Sequence, residues 1–173
     1  MPAWPFRDLT DALHNSPRAR FWKSRKLFEI KELIVHHTGG PGDQSPESIH
    51  KYHQEKNWGE PDRPLYAPRI VYHYGVAPSG LQWKFNRAID RTWQCAGHNQ
   101  VGLGLVLFGD FTKYEVPNDQ WQSAVELAAR LCNAYNIPTE KVLGHRECFP
   151  TACPGTHIDP AGFRWAVVSA RHD

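Results

Sequence analysis

The segment VLGHRECFPTACPG, residues 142–155, holds a histidine and a cysteine eight positions apart, His145 and Cys153. Imidazole nitrogen and thiolate sulfur are zinc-binding groups, and a catalytic zinc site keeps three protein ligands and one open position. The glycines and prolines around the pair suit an irregular loop held in one shape. A third donor must come from elsewhere. The run VHHT, residues 35–38, offers His36 and His37 at the end of an apolar stretch. Adjacent strand residues point to opposite faces, so only one of the two can face a shared cation. Spacing does not choose between them. The same residues can also be read without chemistry, Cys153 as a small buried side chain and the histidine pair as one core and one surface residue.

The elements that would position these groups are legible. ELIVHHT reads as a buried strand. SPESIHKYHQEKNW reads as a helix, with Ser45 as N-cap, Pro46 at the first helical position and Ile49, Tyr52 and His53 at helical spacing. A proline-rich loop, GEPDRPLYAP, follows. RIVYHYGVAPSGLQWKF alternates and turns at Pro78-Ser79-Gly80, a hairpin pattern. LGLVLFGDF, Leu103 to Phe111, reads as a central strand. PNDQWQSAVELAARLCNAYN predicts a helix capped by Asn118, whose apolar stripe of Trp121, Val125, Ala128 and Cys132 gives that cysteine a core role. KVLGH reads as a short strand, and DPAGFRWAVVSAR as a closing helix with Asp159 as N-cap and Pro160 at N1. Strands interleaved with helices predict an α/β domain.

A length of 173 residues suits one domain with a real core. The formal net charge of +2 argues against a dedicated nucleic-acid binder. Seven tryptophans could offer a stacking surface for sugars, although most are expected in the core. No apolar run approaches the ~20 residues of a membrane span. The start, MPAWPFRDLTDALHNSP, lacks the basic and apolar regions of a signal peptide, so synthesis without export, in the cytoplasm, is expected. The four cysteines are then read as thiols, or one as a ligand, rather than as a disulfide framework. Residues 1–30 differ from 31–173 in character. RARFWKSRK gathers Arg18, Arg20, Lys23, Arg25 and Lys26 around Phe21 and Trp22. This basic extension is either a solvated helix face or a patch attracted to anionic wall polymers or lipid head groups.

Taken in order, IVHHT, YHQEKNW, VYHYGVAPSG, LGLVLFGDF and GHRECFPTACPG resemble the zinc-dependent N-acetylmuramoyl-L-alanine amidases of type 2. That family includes short phage amidases and peptidoglycan recognition proteins. The resemblance covers about residues 30–168. It implies a single domain with a central mixed β-sheet flanked by helices, and one zinc held by His36, His145 and Cys153. His37 would point away and be packed or hydrogen-bonded. Tyr72, just before His73, would lie near the zinc water, and Thr151 matches the position two residues before the cysteine ligand. The recycling branch of the family carries an Asp ligand and a Glu on the central strand. Here Cys153 and Val106 stand at those places, which favours the wall-degrading branch. WQCAGHNQVGLG departs from the family pattern and leaves open whether His98 or Cys95 takes a histidine position; His98 is the substrate-side candidate.

The activity so implied is hydrolysis of the amide joining the lactyl group of muramic acid to L-alanine in peptidoglycan. Tyr72 and Thr151 hydroxyls are the candidate donors to the developing oxyanion. His73 is a candidate proton shuttle or substrate contact, and Glu147 reads better as a surface carboxylate paired with an arginine than as a base. A monomeric phage endolysin, acting on the host wall after release, is the expectation. The alternative is a recognition module that binds peptidoglycan without cleaving it.

Overall fold

The computed structural model describes residues 4–19 and 21–172. In chain order the strands are β1 (Phe6–Asp8), β2 (Lys23–Ser24), β3 (Glu32–His37), β4 (Tyr74–Val76), β5 (Gln82–Lys84), β6 (Asp90–Arg91), β7 (Gly102–Leu107) and β8 (Val142–Gly144). The α-helices are α1 (Pro46–Glu55), α2 (Asn118–Tyr135), α3 (His145–Cys148) and α4 (Pro160–His172). Six strands form one sheet in the order β1-β5-β4-β7-β3-β8, and β2 pairs with β6 apart from it. Only the β4–β5 hairpin is antiparallel within the large sheet. The result is the mixed α/β domain expected from the interleaved pattern.

Alternation along the central strands divides the interior. Leu33 and Val35 of β3, with Leu103 and Leu105 of β7, pack in the core that includes Leu127 of α2 and Phe163 of α4. Val106 points the other way, into a core with Ile49 of α1 and the rings of Trp83, Phe85 and Phe108. A strand buried on both faces reads as a continuous apolar run because helices cover both sides of a parallel sheet. Cys132 is fully buried, as its stripe requires. Among the described residues no helix is long and apolar enough to cross a membrane.

Caps follow local chemistry. The Ser45 hydroxyl accepts from the Ser48 N–H at 3.2 Å, and Asp159 accepts from Ala161 and Gly162 at the start of α4. The expectation for Asn118 needs correction: it is the first residue of α2, Pro117 is the N-cap, and no side chain caps the helix. Asn118 Oδ1 instead accepts from Gln122 one turn along.

The described residues among the first thirty pair with this domain. β1 adds a parallel edge to β5, and β2 pairs with β6. Arg25 is buried and is therefore unavailable for an anionic surface. Its Nε donates to the Ala88 carbonyl and its Nη1 to the carbonyls of Asn99, Gln100 and Gly102, so the planar guanidinium ties the residue after β2 to the segment before β6 and to the start of β7. Burial lowers its pKa to about 10, which still leaves it charged at neutral pH. Trp22 donates to Asn86 and meets Trp93 edge-on. Arg18, Lys23 and Lys26 remain exposed, in a strand and turns rather than a helix; Arg20 lies outside the described residues.

Two histidines are buried without a counter-charge. His53 accepts from the Val71 N–H. His73 accepts from the Gly104 N–H through Nδ1 and contacts the Asp90 carbonyl through Nε2. Burial pulls both pKa values from 6.5 to about 3. The folded chain thus holds them neutral, whereas the unfolded chain binds protons near pH 6.5. Their contribution to stability is complete above that pH and is lost as pH falls towards the folded values. The thermal midpoint should therefore drop as pH is lowered from about 6.5 to about 4, with a shallower slope in His73→Gln. A midpoint independent of pH across that window would contradict this assignment.

Candidate functional site

The parallel pairing of β3 with β8 sets Val35 beside Gly144. The residue after each is a histidine, His36 still within β3 and His145 opening α3, and their ring centroids lie 4.5 Å apart. Cys153 arrives from the loop after α3. The backbone N–H of Arg146 donates to the Cys153 carbonyl at 2.9 Å. The guanidinium of Arg146 donates to the carbonyls of Gly155 and Ile158, fixing the loop from inside. One ligand atom each from His36, His145 and Cys153 lies within 4.8 Å of the others.

The ring of His36 has a defined orientation. Its Nε2 lies 2.6 Å from Gln94 Oε1, an acceptor, which places the imidazole proton on Nε2. The lone pair of Nδ1 then faces Cys153 Sγ at 3.6 Å. A tetrahedral zinc with Zn–N ~2.1 Å and Zn–S ~2.3 Å would separate its two donors by about 3.6 Å. Two imidazoles and one thiol with this spacing fit such an ion and leave a fourth side open. Burial, with His145 nearby, holds the pKa of His36 well below the usual value, and burial lowers that of His145. Both are in the neutral, ligating form at neutral pH. Burial raises the Cys153 thiol to about 12, against the opposing effect of the His37 N–H that donates to its sulfur at 3.4 Å.

His37 turns to the opposite face, where Nδ1 accepts from the Phe111 N–H at 3.1 Å. Tyr72 packs over His36 with centroids 5.0 Å apart and edge-on to His53 at 5.4 Å. Its half-buried ring keeps the phenol protonated, burial raising its pKa. Thr151 lies on the cysteine loop, its hydroxyl oxygen accepting from the Cys153 N–H at 3.2 Å.

Two sequence expectations meet different surroundings, and a third is met. His73 is fully buried with both ring nitrogens engaged, by the Gly104 N–H and the Asp90 carbonyl, rather than exposed at the cluster. His98 meets Glu32, Nδ1 to Oε2 2.6 Å, and is directed there rather than into the three-residue cluster. Glu147 forms a bidentate pair with Arg164 and accepts from the Gly144 N–H, which is the structural role read from the sequence.

Gln94 was not recognised in the sequence. Its side chain crosses Gly102 and Gly104 of β7, where a Cβ would come within 3.0 Å of it. Its Nε2 is buried and has no partner among the described residues, which costs about 1–3 kcal/mol. The Gly-x-Gly spacing within a central strand was the available signal, since it marks close approach by another segment.

Two cavities adjoin the three-residue cluster, one reaching Tyr72 and the other His145. One, about 250 Å³, is bordered by Thr38, Gly39, Gly40, His53 and Tyr72. The other, about 440 Å³, is walled by Lys56, Trp58, Trp93, Gln94, His145 and Phe149.

Residues 26–161 match the family model described as N-acetylmuramoyl-L-alanine amidase. Peptidoglycan-recognition protein LB of Drosophila melanogaster is 26% identical over 153 residues, which are 81% of this chain and 62% of that protein. The chain thus spans less than two thirds of the length of this curated relative. Among solved structures, the endolysin N-acetylmuramoyl-L-alanine amidase LysCS from Clostridium intestinale URNW superimposes with a TM-score of 0.75 at 21% identity, covering 97% of each chain. The Ph2119 endolysin from the Thermus scotoductus MAT2119 bacteriophage Ph2119 gives 0.72 at 23% identity, covering 94% of this chain and 98% of its own. At those identities the likeness is one of fold.

The Gln94 contact leads to a measurable expectation. Loss of a group that orients a metal-binding histidine lowers metal affinity about 10–100-fold. Gln94→Leu should show that loss in a competition assay with a chromophoric chelator, whereas Gln94→Glu, which keeps the acceptor, should retain most of the affinity. Equal affinity in Gln94→Leu and wild type would reduce Gln94 to a packing residue.

Proposed function

The chain belongs to the N-acetylmuramoyl-L-alanine amidase family, and on that premise we propose that it is a zinc-dependent hydrolase of peptidoglycan. Its reaction is cleavage of the amide between N-acetylmuramic acid and L-alanine. Its biological role is that of a phage endolysin, made in the host cytoplasm and acting on the wall after release. The observation that carries this reading is the convergence of His36, His145 and Cys153, with a His36 Nδ1 to Cys153 Sγ spacing of 3.6 Å.

When bound, zinc would polarise the scissile carbonyl and lower the pKa of a water molecule. The chain's own residues supply the rest. His36 is presented by its Gln94 hydrogen bond with Nδ1 free to ligate. The Tyr72 phenol, protonated throughout the neutral range, can donate to the amide oxygen as that oxygen gains charge. The Thr151 hydroxyl keeps its proton for donation, because the contact with the Cys153 N–H uses only its oxygen. A recognition module without catalysis has no need of three convergent donors beside a phenol.

Chelation should abolish solubilisation of purified sacculi, and added zinc should restore it. Cys153→Ser should lose metal and activity while the metal-free protein melts close to wild type, because a hydroxyl is a poor substitute for thiolate. Full lytic activity in that variant would remove Cys153 from the metal site.

Tyr72→Phe should bind metal normally and turn over roughly a hundredfold more slowly, the usual effect of deleting one oxyanion donor. Near-normal turnover would leave the tyrosine a packing role only.

A further inference from the structure

The cleft beside Tyr72 does not end at the metal cluster. It runs over Gly39 and Gly40, which also border a larger cavity of about 490 Å³. The ridge between the two is low because neither residue has a side chain. Gly39 adopts a φ of +69°, which a larger residue rarely takes. The ridge is also fixed: the Gly39 N–H donates to the Gly109 carbonyl at 3.0 Å, and the Gly109 N–H to Thr38 Oγ1 at 3.0 Å. The far cavity sits outside the carboxyl ends of β3, β4 and β7, where ligands of parallel sheets collect.

Its chemistry differs from that of the cavity across the metal cluster. Phe108, Phe111, Pro78 and Pro117 form apolar walls. The rim carries Asp110, Lys113, Tyr114 and Glu115; the Lys113 ammonium is paired with Asp110 at 2.8 Å, and Glu115 Oε1 meets His157 Nδ1 at 2.7 Å. The rim lining therefore holds two carboxylates against one ammonium, with the second oxygen of Glu115 left to accept. The cavity across the cluster has Lys56 and no carboxylate in its lining. A peptidoglycan substrate has two arms of different charge. The stem peptide bears carboxylates, whereas the neighbouring sugar bears hydroxyl and acetamido groups without charge. A rim with excess carboxylate repels the first and can accept hydrogen bonds from the second. Tyr114, 68% exposed at this rim, presents an aromatic face of the kind on which a pyranose ring packs.

We propose that the cavity beyond the Gly39–Gly40 ridge is a saccharide subsite, taking the sugar next to the muramyl residue whose amide lies at the metal cluster. The proposal rests on the amidase reading for its orientation, and its consequence is selectivity for glycan strands over isolated muramyl peptides.

The test separates binding from catalysis. An uncharged tetramer of N-acetylglucosamine is titrated calorimetrically into the wild type, Cys153→Ser and Tyr114→Ala. Saturable binding is expected in the first two, and binding at least about fivefold weaker in Tyr114→Ala. Absence of binding to the wild type, equal affinity in Tyr114→Ala, or displacement of the sugar by free stem peptide would each overturn the proposal. In a second arm, Tyr114→Ala should raise KM for a tetrasaccharide bearing stem peptides and leave a muramyl tripeptide unaffected; equal effects on both substrates would count against the subsite. If no protein cleaves either substrate while the titration still distinguishes Tyr114→Ala, the amidase reading fails and the saccharide subsite stands.

Discussion

Parallel pairing at the centre of the sheet is the constraint on which the site depends. β3 lies between β7 and β8, and all three run the same way. Their carboxyl ends therefore open together, and the residues just past the ladder converge. His36 and His145 meet because Val35 stands beside Gly144. A shift of that register by one residue would exchange His36 for His37. His37 is held by the Phe111 N–H on the other face, and Leu33 and Val35 would leave the core shared with α2 and α4. The packing that stabilises the sheet thus also selects which histidine faces the cluster.

Within the cluster, two demands on the medium conflict. A ligating imidazole must be neutral, and a dry environment favours that form. A ligating thiol must ionise, and the same environment opposes it. His36 and His145 accordingly titrate low and Cys153 high. The His37 N–H on the sulfur offsets part of the cost. A dication would offset the rest, so metal uptake should be coupled to proton release. Gln94 completes the arrangement by fixing the tautomer of His36, while its own unpartnered Nε2 weakens the fold slightly.

Much of this was legible in the sequence. Long periodic segments such as residues 118–135 and the turn at 78–80 were, because apolar spacing and turn chemistry act locally. That His36, His145 and Cys153 belong together followed from a motif resemblance, and strand alternation limited His36 and His37 to one of two. What was not legible depends on distant partners. Arg25 reads as one of five surface charges until the carbonyls of Ala88 and residues 99–102 surround it. His73 reads as a neighbour of Tyr72, yet alternation sends it under the sheet. Gln94 acquires its role only because Gly102 and Gly104 leave it a path. Asn118 is a good cap by composition, but the proline before it already starts the helix.

The strand order has a kinetic meaning. β3 is made early, yet its two neighbours in the sheet are β7, which begins at Gly102, and β8, which begins at Val142. β1, at the beginning of the chain, waits for β5. Such contacts close long loops before they are rewarded, and chains of this kind fold slowly compared with locally connected ones. On the ribosome, His36 emerges more than a hundred residues before Cys153. The three-residue cluster is therefore assembled late: it requires both the pairing of β8 with β3 and the arrival of Cys153 from the loop beyond α3.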